Sequence, residues 1–303
     1  SSSNYPFLRE LVAALRKEFD GLNVDISLPS LRIDDQLGAI PAMVSGVRRS
    51  GLTMAPETGT DRMRRIINKD ISDEHLFEAA RNAYAAGYDR IKLYLMIGNP
   101  GETEEDILAG LRLAEELSYL RKECGKPPAF INVGLATLVP KPHTPFQWSP
   151  MPGRENLEGA IRLLMDRRKN RRVHFRYNSV DGSFLEGVLA LGDARVGKAI
   201  YRAWELGAFL DPWDEFFSYE RWQQAFAGTG IDPAFYIHRQ KPYDEFLPWQ
   251  HIFAGVSTEF LEREMRKTEN GQITENCMYG KCQACGTDCE LPLDLWEING
   301  VKK

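Results

Sequence analysis

The stretch IKLYLMIGNPGETEEDI, residues 91–107, decides the fold. Ile91, Leu93, Leu95 and Ile97 alternate with Lys92, Tyr94, Met96 and Gly98, the period-two pattern of a strand with two unlike faces. Pro100-Gly101 then turns the chain, and Thr103 starts a helix. Thr103 with Asp106 has the form of a capping box, although Asp is a weaker partner than Glu at that position. A strand that passes through a glycine turn into a helix is a β–α unit, and such units in series imply a parallel sheet with right-handed crossovers.

The same alternation recurs on both sides of this stretch. Strands are expected at 23–28, 52–57 and 131–139, with helices at about 34–49, 60–68, 72–87 and 103–122, and Ser72 as a further N-cap. Val24, Ile26 and Leu28 oppose Asn23, Asp25 and Ser27. Leu52 and Met54 oppose Thr53, Ala55 and Glu57, and Ile131, Val133 and Leu135 oppose Asn132, Gly134 and Ala136. Parallel strands covered on both faces are normally aliphatic throughout; these are aliphatic on one face only. The pattern predicts a partial (β/α) barrel of about four parallel strands whose polar face lines a lumen that holds a polar ligand. An open sheet with one wet face is the plainer alternative. Asp25, Glu57 and Lys92 would share the lumen and need partners there, since unpaired buried charge is costly. Asp25, Lys92 and Tyr94 are the cavity candidates for chemistry.

In a β/α barrel, ligands sit at the carboxy ends of the strands. Four segments fall there: LPSLR (28–32), APETGTDRMRRIINKD (55–70), IGNPGETEEDI (97–107) and LVPKPHTPFQW (138–148). Gly98 could let the backbone approach a ligand. Glu57 could accept hydrogen bonds from ribose hydroxyls or an ammonium group, or could simply pair with Lys92 or Arg62.

Taken in order, SLPSLR, APETGTDRMRRIINK, IKLYLMIGNPGETEEDI and VPKPHTPFQW resemble the second half of the barrel of the radical S-adenosylmethionine (radical SAM) superfamily. The wording is similar to a group that fuses a cobalamin-binding-like domain to this barrel. That group also has a GVSxEFLxRE segment (here Gly255 to Glu264) ahead of a cysteine cluster. The resemblance implies SAM lying across the strand ends, with Ser30 and Glu57 near its ribose or methionyl part. Gly98, Leu138 and Pro140 would then lie near the adenine. It further implies a [4Fe-4S] cluster on a CxxxCxxC loop, with SAM completing the fourth iron so that an electron can release a 5′-deoxyadenosyl radical. No CxxxCxxC occurs in this sequence. The expectation is therefore a part of a radical SAM enzyme, not competent alone, whose remaining barrel half lies on a missing segment or a partner chain.

Four of the five cysteines, Cys277, Cys282, Cys285 and Cys289, lie in CMYGKCQACGTDC (277–289). This spacing predicts a metal knuckle holding zinc or an auxiliary iron–sulfur cluster, with disulfides or free thiols as the remaining alternative, and Cys124 is an ordinary helix-end residue. The expected organisation is a partial barrel over 1–150, a mostly helical region over 151–268 and a Cys-rich tail over 269–303. RRKNRR (167–172) reads as a helix end whose cations complement the dipole, or as a grip on an RNA substrate. Residues 173–178 alternate like one further strand. His143, His238 and His251 read as structural or surface residues, and Trp204, Trp213, Phe216, Phe217 and Trp222 as core.

The net charge of −5 gives no global attraction to nucleic acid or anionic lipid. No apolar run approaches the roughly 20 residues that span a bilayer, and a cytoplasmic protein is expected. Two other readings remain at this point: a non-catalytic zinc-knuckle module that docks RNA or protein, and a cluster-free β/α lyase using Lys92.

Overall fold

The alternation read around residue 91 becomes the centre of a four-stranded parallel sheet. The computed structural model describes residues 5, 7–19, 21–22, 24, 52–277, 281–287 and 289. The strand expected at 23–28 and the helix expected at 34–49, with Asp25 and Ser30, lie outside the described residues.

The strands are β1 (Leu52–Glu57), β2 (Arg90–Ile97), β3 (Phe130–Thr137) and β4 (Val173–Tyr177), ordered β1-β2-β3-β4 in the sheet and all parallel. The register sets residues of like character side by side. Thr53, Lys92, Asn132 and His174 form one row across the sheet, and Tyr94, Gly134 and Arg176 form the next. The aliphatic rows face the other way, with Ile91, Leu93, Leu95, Ile131, Val133, Leu135 and Val173 all buried.

Helices supply what those aliphatic rows need. Between β1 and β2 run α2 (Asp61–Ile66) and α3 (Asp73–Ala85); α4 (Glu104–Leu120) follows β2 and α5 (Arg154–Arg167) follows β3. Leu76, Ala80 and Tyr84 of α3, Leu113 and Leu117 of α4, and Leu157 and Leu164 of α5 join the strand residues in one core. Burying each large aliphatic side chain contributes about 1.5–3 kcal/mol. Both expected N-caps are formed: Ser72 accepts from the His75 amide, and Thr103 with Asp106 closes a capping box.

An amphipathic helix, α1 (Leu8–Phe19), precedes this region. Its Leu8, Val12 and Leu15 at i, i+4 and i+7 are the stripe that could have revealed it. After β4 come α6 (Val180–Leu191), α7 (Val196–Glu205), α8 (Tyr219–Thr229), the short α9 (Pro233–Ile237) and α10 (Thr258–Glu269). The region beyond β3 is thus mostly helical apart from β4, and its core continues that of the sheet through Phe184, Val188, Trp222, Ile237 and Met265. None of the described helices is long and apolar enough to cross a membrane.

One expectation fails in this region. Trp222 is buried, and its indole nitrogen donates to Asp211 (2.9 Å), but Trp204 and Trp213 are 63% and 60% exposed and Phe216 is also exposed. The reason lies in α7. Val196, Ala199 and Ala203 make its buried stripe, and Trp204, one residue further round, is turned outward. Phe217 packs against the core while partly exposed.

The basic run is largely consumed by structure. Arg168 donates to the Val173 carbonyl (3.1 Å) and Arg172 to the Pro128 carbonyl (2.7 Å), with the Arg172 guanidinium over the Phe130 ring. The buried Asn170 donates to Ser118, and the amides of Lys169 and Asn170 both donate to Glu115 of α4. This run fastens β4 to the end of α4. Arg167, Lys169 and Arg171 remain exposed.

Candidate functional site

The carboxy ends of β1, β2 and β3 lie at one end of the sheet because all the strands run in the same direction. Three loops meet there, and hydrogen bonds tie the first two together. Thr60, the N-cap of α2, donates to Asp106 Oδ1 (2.7 Å). Asp106 Oδ2 accepts from the Thr103 amide (2.9 Å), the Thr103 hydroxyl (2.6 Å) and Arg62. Arg62 also donates to the Gly101 carbonyl (3.0 Å). Burial alone would push the Asp106 carboxyl up; the bonds from Thr103, Thr60 and Arg62 outweigh it and bring the pKa to about 2.

Gly59 shows how closely the two loops approach. A Cβ there would sit 2.1 Å from the Gly110 amide nitrogen and 2.6 Å from the Asp106 carbonyl oxygen. Only a residue without a side chain lets the β1 turn lie on the α4 backbone.

Inside the first loop, Arg64 is fully buried. It donates to the Thr58 and Ile71 carbonyls (3.3 and 3.1 Å) and pairs with Asp61 and Asp73. In the second loop Glu102 accepts from the Gly98 amide (2.7 Å) and from Asn99 Nδ2 (2.9 Å), while burial pushes its carboxyl above the usual range.

Glu57 ends β1 with φ at 69°, in the left-handed region, where the pairing with β2 shifts register. Such a backbone is costly for a residue with a side chain and marks a position held by its surroundings. Its carboxylate pairs with Lys69 (2.9 Å), so neither Lys92 nor Arg62 is its partner; the turn of α2 carries Arg62 to Asp106 and returns Lys69 to the strand end. Gly98 has φ of +83°, and a Cβ there would meet Leu157 at 3.1 Å and Pro152 at 3.4 Å. Packing against α5 and a left-handed turn account for this glycine. Leu138 donates its amide to the Ile97 carbonyl (2.8 Å), and Pro140 is buried beside it. The segment after β3 is braced by Gln147, whose oxygen accepts from the His143 amide (3.1 Å) and from the Trp249 indole (2.7 Å).

Two buried polar atoms at this end, Thr58 Oγ1 and Asn99 Oδ1, have no hydrogen-bond partner among the described residues. Thr58 directly follows β1, and Asn99 lies two residues past the end of β2. Buried polar atoms are normally satisfied, so these two mark where a polar ligand would be accommodated.

Lys92 and Tyr94 lie on the polar face, both exposed, with Lys92 Nζ 4.8 Å from the centre of the Tyr94 ring. Among the described residues that face is open, not enclosed. Among the described residues, helices cover only the aliphatic side.

The four cysteines are not gathered. Cys277, Cys282 and Cys289 are exposed and Cys285 half-buried, all as free thiols. Among the described residues no three His, Cys, Asp or Glu are placed to hold a metal ion. The turn of a knuckle is nonetheless present: the Ala284 amide points to Cys282 Sγ (3.4 Å), and the Ser257 amide donates to the Cys285 carbonyl (2.8 Å). The geometry does not support a four-thiolate centre. Nor do the described residues supply the three thiolates that a [4Fe-4S] cluster requires, so that group has no seat among them.

Sequence reasoning missed Arg64, Glu102 and the reach of Asp106 across to the β1 loop. Asp106 was legible only as a local cap, and nothing in residue spacing announces a partner 46 positions away.

This geometry is a partial TIM-like α/β fold: a parallel sheet with one face clothed in helices and its loops collected at the carboxy end. Comparison with known families agrees. Residues 2–114 match the Radical SAM superfamily, so the chain carries a radical SAM superfamily domain that extends into α4. A stretch of 201 residues, 65% of the chain, is 31% identical to the uncharacterized protein MJ0966 of Methanocaldococcus jannaschii. That match spans 41% of the relative's length, so the chain corresponds to less than half of it.

Proposed function

We propose that this chain is part of a radical SAM iron–sulfur enzyme, contributing the SAM-facing strand ends and one wall of the substrate cavity. One observation carries the reading: a parallel sheet whose polar face is uncovered among the described residues and whose loops are locked together at its carboxy end. Parallel sheets are stable when both faces are covered, so the polar face calls for a further covering layer. The remaining barrel strands, from another segment or a partner chain, would supply that layer and the cluster's thiolates.

When bound and reductively cleaved, SAM supplies the radical that abstracts a hydrogen atom. The residues of this chain hold and orient. Glu57, fixed by Lys69 and by its left-handed backbone, presents a carboxylate oxygen at the end of β1 for a ribose hydroxyl or an ammonium group. Thr58 and Asn99 offer polar atoms beside it. The Leu138–Pro140 segment gives an apolar edge against which a purine can lie. Ser30, outside the described residues, would complete the set.

Calorimetric titration of the chain with SAM tests the reading. Glu57→Ala should weaken binding by about tenfold, the loss of one hydrogen bond to a charged group, while Glu220→Ala, exposed on α8, should leave it unchanged. SAM binding insensitive to Glu57, or no SAM binding at all, overturns the assignment.

A further inference from the structure

The open face of the sheet carries a charge that the rest of the molecule does not predict. The protein is net negative, at −5, yet Arg90, Lys92 and Arg176 are all exposed on this face, with His174 in the Lys92 row beside Arg176 on β4. Among the described strand residues that alternate onto it, none is acidic; Glu57, at the strand end, is already taken by Lys69. Arg90, Lys92 and Arg176 form no ion pair with any described residue. Arg62, Arg64, Lys69, Arg154 and Arg239 elsewhere in the described chain do form ion pairs, while exposed cations such as Lys126, Arg167 and Arg171 do not.

The row geometry concentrates these cations. Lys92 on β2 and Arg176 on β4 begin two strands apart, roughly 10 Å, and one pleat apart along the sheet. Between them lies Gly134, in register with both Tyr94 and Arg176. A Cβ on Gly134 would meet the Tyr94 ring at 3.1 Å, so the missing side chain is what lets the ring lie across β3. The result is a flat aromatic floor with Lys92 4.8 Å from the ring centre on one side and Arg176 on the next strand. Lysine and arginine side chains are long enough to converge above such a floor on one bound group.

An exposed cationic face would be an ordinary solvated surface on a helix, but a face of a parallel sheet is normally covered. Once covered, three unpaired cations would carry a large desolvation cost unless negative charge joined them. We infer that this face binds an anionic group of the substrate, a phosphate or a carboxylate, between Lys92 and Arg176 beside the Tyr94 ring. The inference rests on the reading above that this face is the substrate side of a radical SAM barrel.

Calorimetric titration of the chain with inorganic pyrophosphate and, separately, with succinate tests it at fixed ionic strength. Lys92→Gln and Arg176→Gln should each weaken the better probe by about tenfold or more, as expected for loss of a charge-assisted hydrogen bond. Arg171→Gln, in the basic run, should change nothing. Because Lys92 and Arg176 are exposed, melting temperatures of both variants should match the parent, which separates lost binding from lost folding. Tighter pyrophosphate than succinate assigns a phosphate, and the reverse assigns a carboxylate. Probe binding that ignores both substitutions, or that falls equally with Arg171→Gln, overturns the inference. So does a parent protein that binds neither probe. SAM binding that persists while the anion site fails sinks this inference alone; an anion site that depends on Lys92 and Arg176 without SAM binding sinks the enzyme assignment instead.

Discussion

The two faces of one sheet behave as different materials. On one, Ile91, Leu93, Leu95, Ile131, Val133 and Leu135 are buried under α3, α4 and α5. On the other, Lys92, Tyr94, His174 and Arg176 stand exposed from the same strands. Successive side chains differ only in parity, and that alone sorts them into a layer that holds the fold together and a layer free to recognise a ligand. The packed face fixes the positions of the open face's residues at almost no contribution from them, so the open face can be chosen for chemistry.

Substitutions on the two faces should therefore fall into separate classes. The largest effect is expected on the packed side: Leu93→Ala should destabilise by about 3 kcal/mol, since a fully buried leucine leaves a cavity that its neighbours fill only in part. Denaturant unfolding checks this, and a loss below about 1 kcal/mol would show that the aliphatic face is not the core.

The loop junction comes next. The Asp106 pKa of about 2 lies below the ordinary carboxylate value of 3.8, so its contribution is fully present above about pH 4 and is lost as pH falls toward 2. At about 1.4 kcal/mol per pKa unit, it amounts to roughly 2 kcal/mol. Asp106→Asn should lose a comparable amount at neutral pH and flatten the acid limb of the stability profile. An unchanged acid limb would mean that the junction is not fastened through this carboxylate.

Gly134→Ala should cost about 1 kcal/mol or less, because the Tyr94 ring must move by a few tenths of an ångström to admit the new methyl. Its more telling consequence is on the anion probe, whose binding should weaken as the aromatic floor tilts. The smallest effect on stability belongs to Lys92→Gln, within about 0.5 kcal/mol. A large loss of stability there would make Lys92 a structural residue and erase the contrast between the faces.

Much of the site was legible without a structure. The parity of Lys92 and Tyr94, the cap at Thr103, the helix start at Thr60 and the strand ends at Glu57 and Gly98 all follow from local pattern. Their partners did not. Glu57 finds Lys69 because α2 is only six residues long and its turn brings the chain back beside β1. Arg64 is buried because the chain between β1 and α3 wraps around it, through Thr58, Asp61, Ile71 and Asp73. Gly98, which a sequence reading assigns to a ligand, is explained by Leu157 and Pro152, more than fifty residues further on. Four cysteines in thirteen residues have metal-binding spacing, yet the described sulfurs do not converge.

The sequence by itself determined which residues form strands and helices and which strand face is apolar, because periods of two and 3.6 are properties of a few consecutive residues. Only the tertiary structure decided which charges meet and which aromatics lie outside. It also decided that the cationic rows of β2 and β4 share one face, exposed among the described residues. Those outcomes depend on segments tens of residues apart being set side by side by the sheet register and the crossover helices, and no local period encodes that.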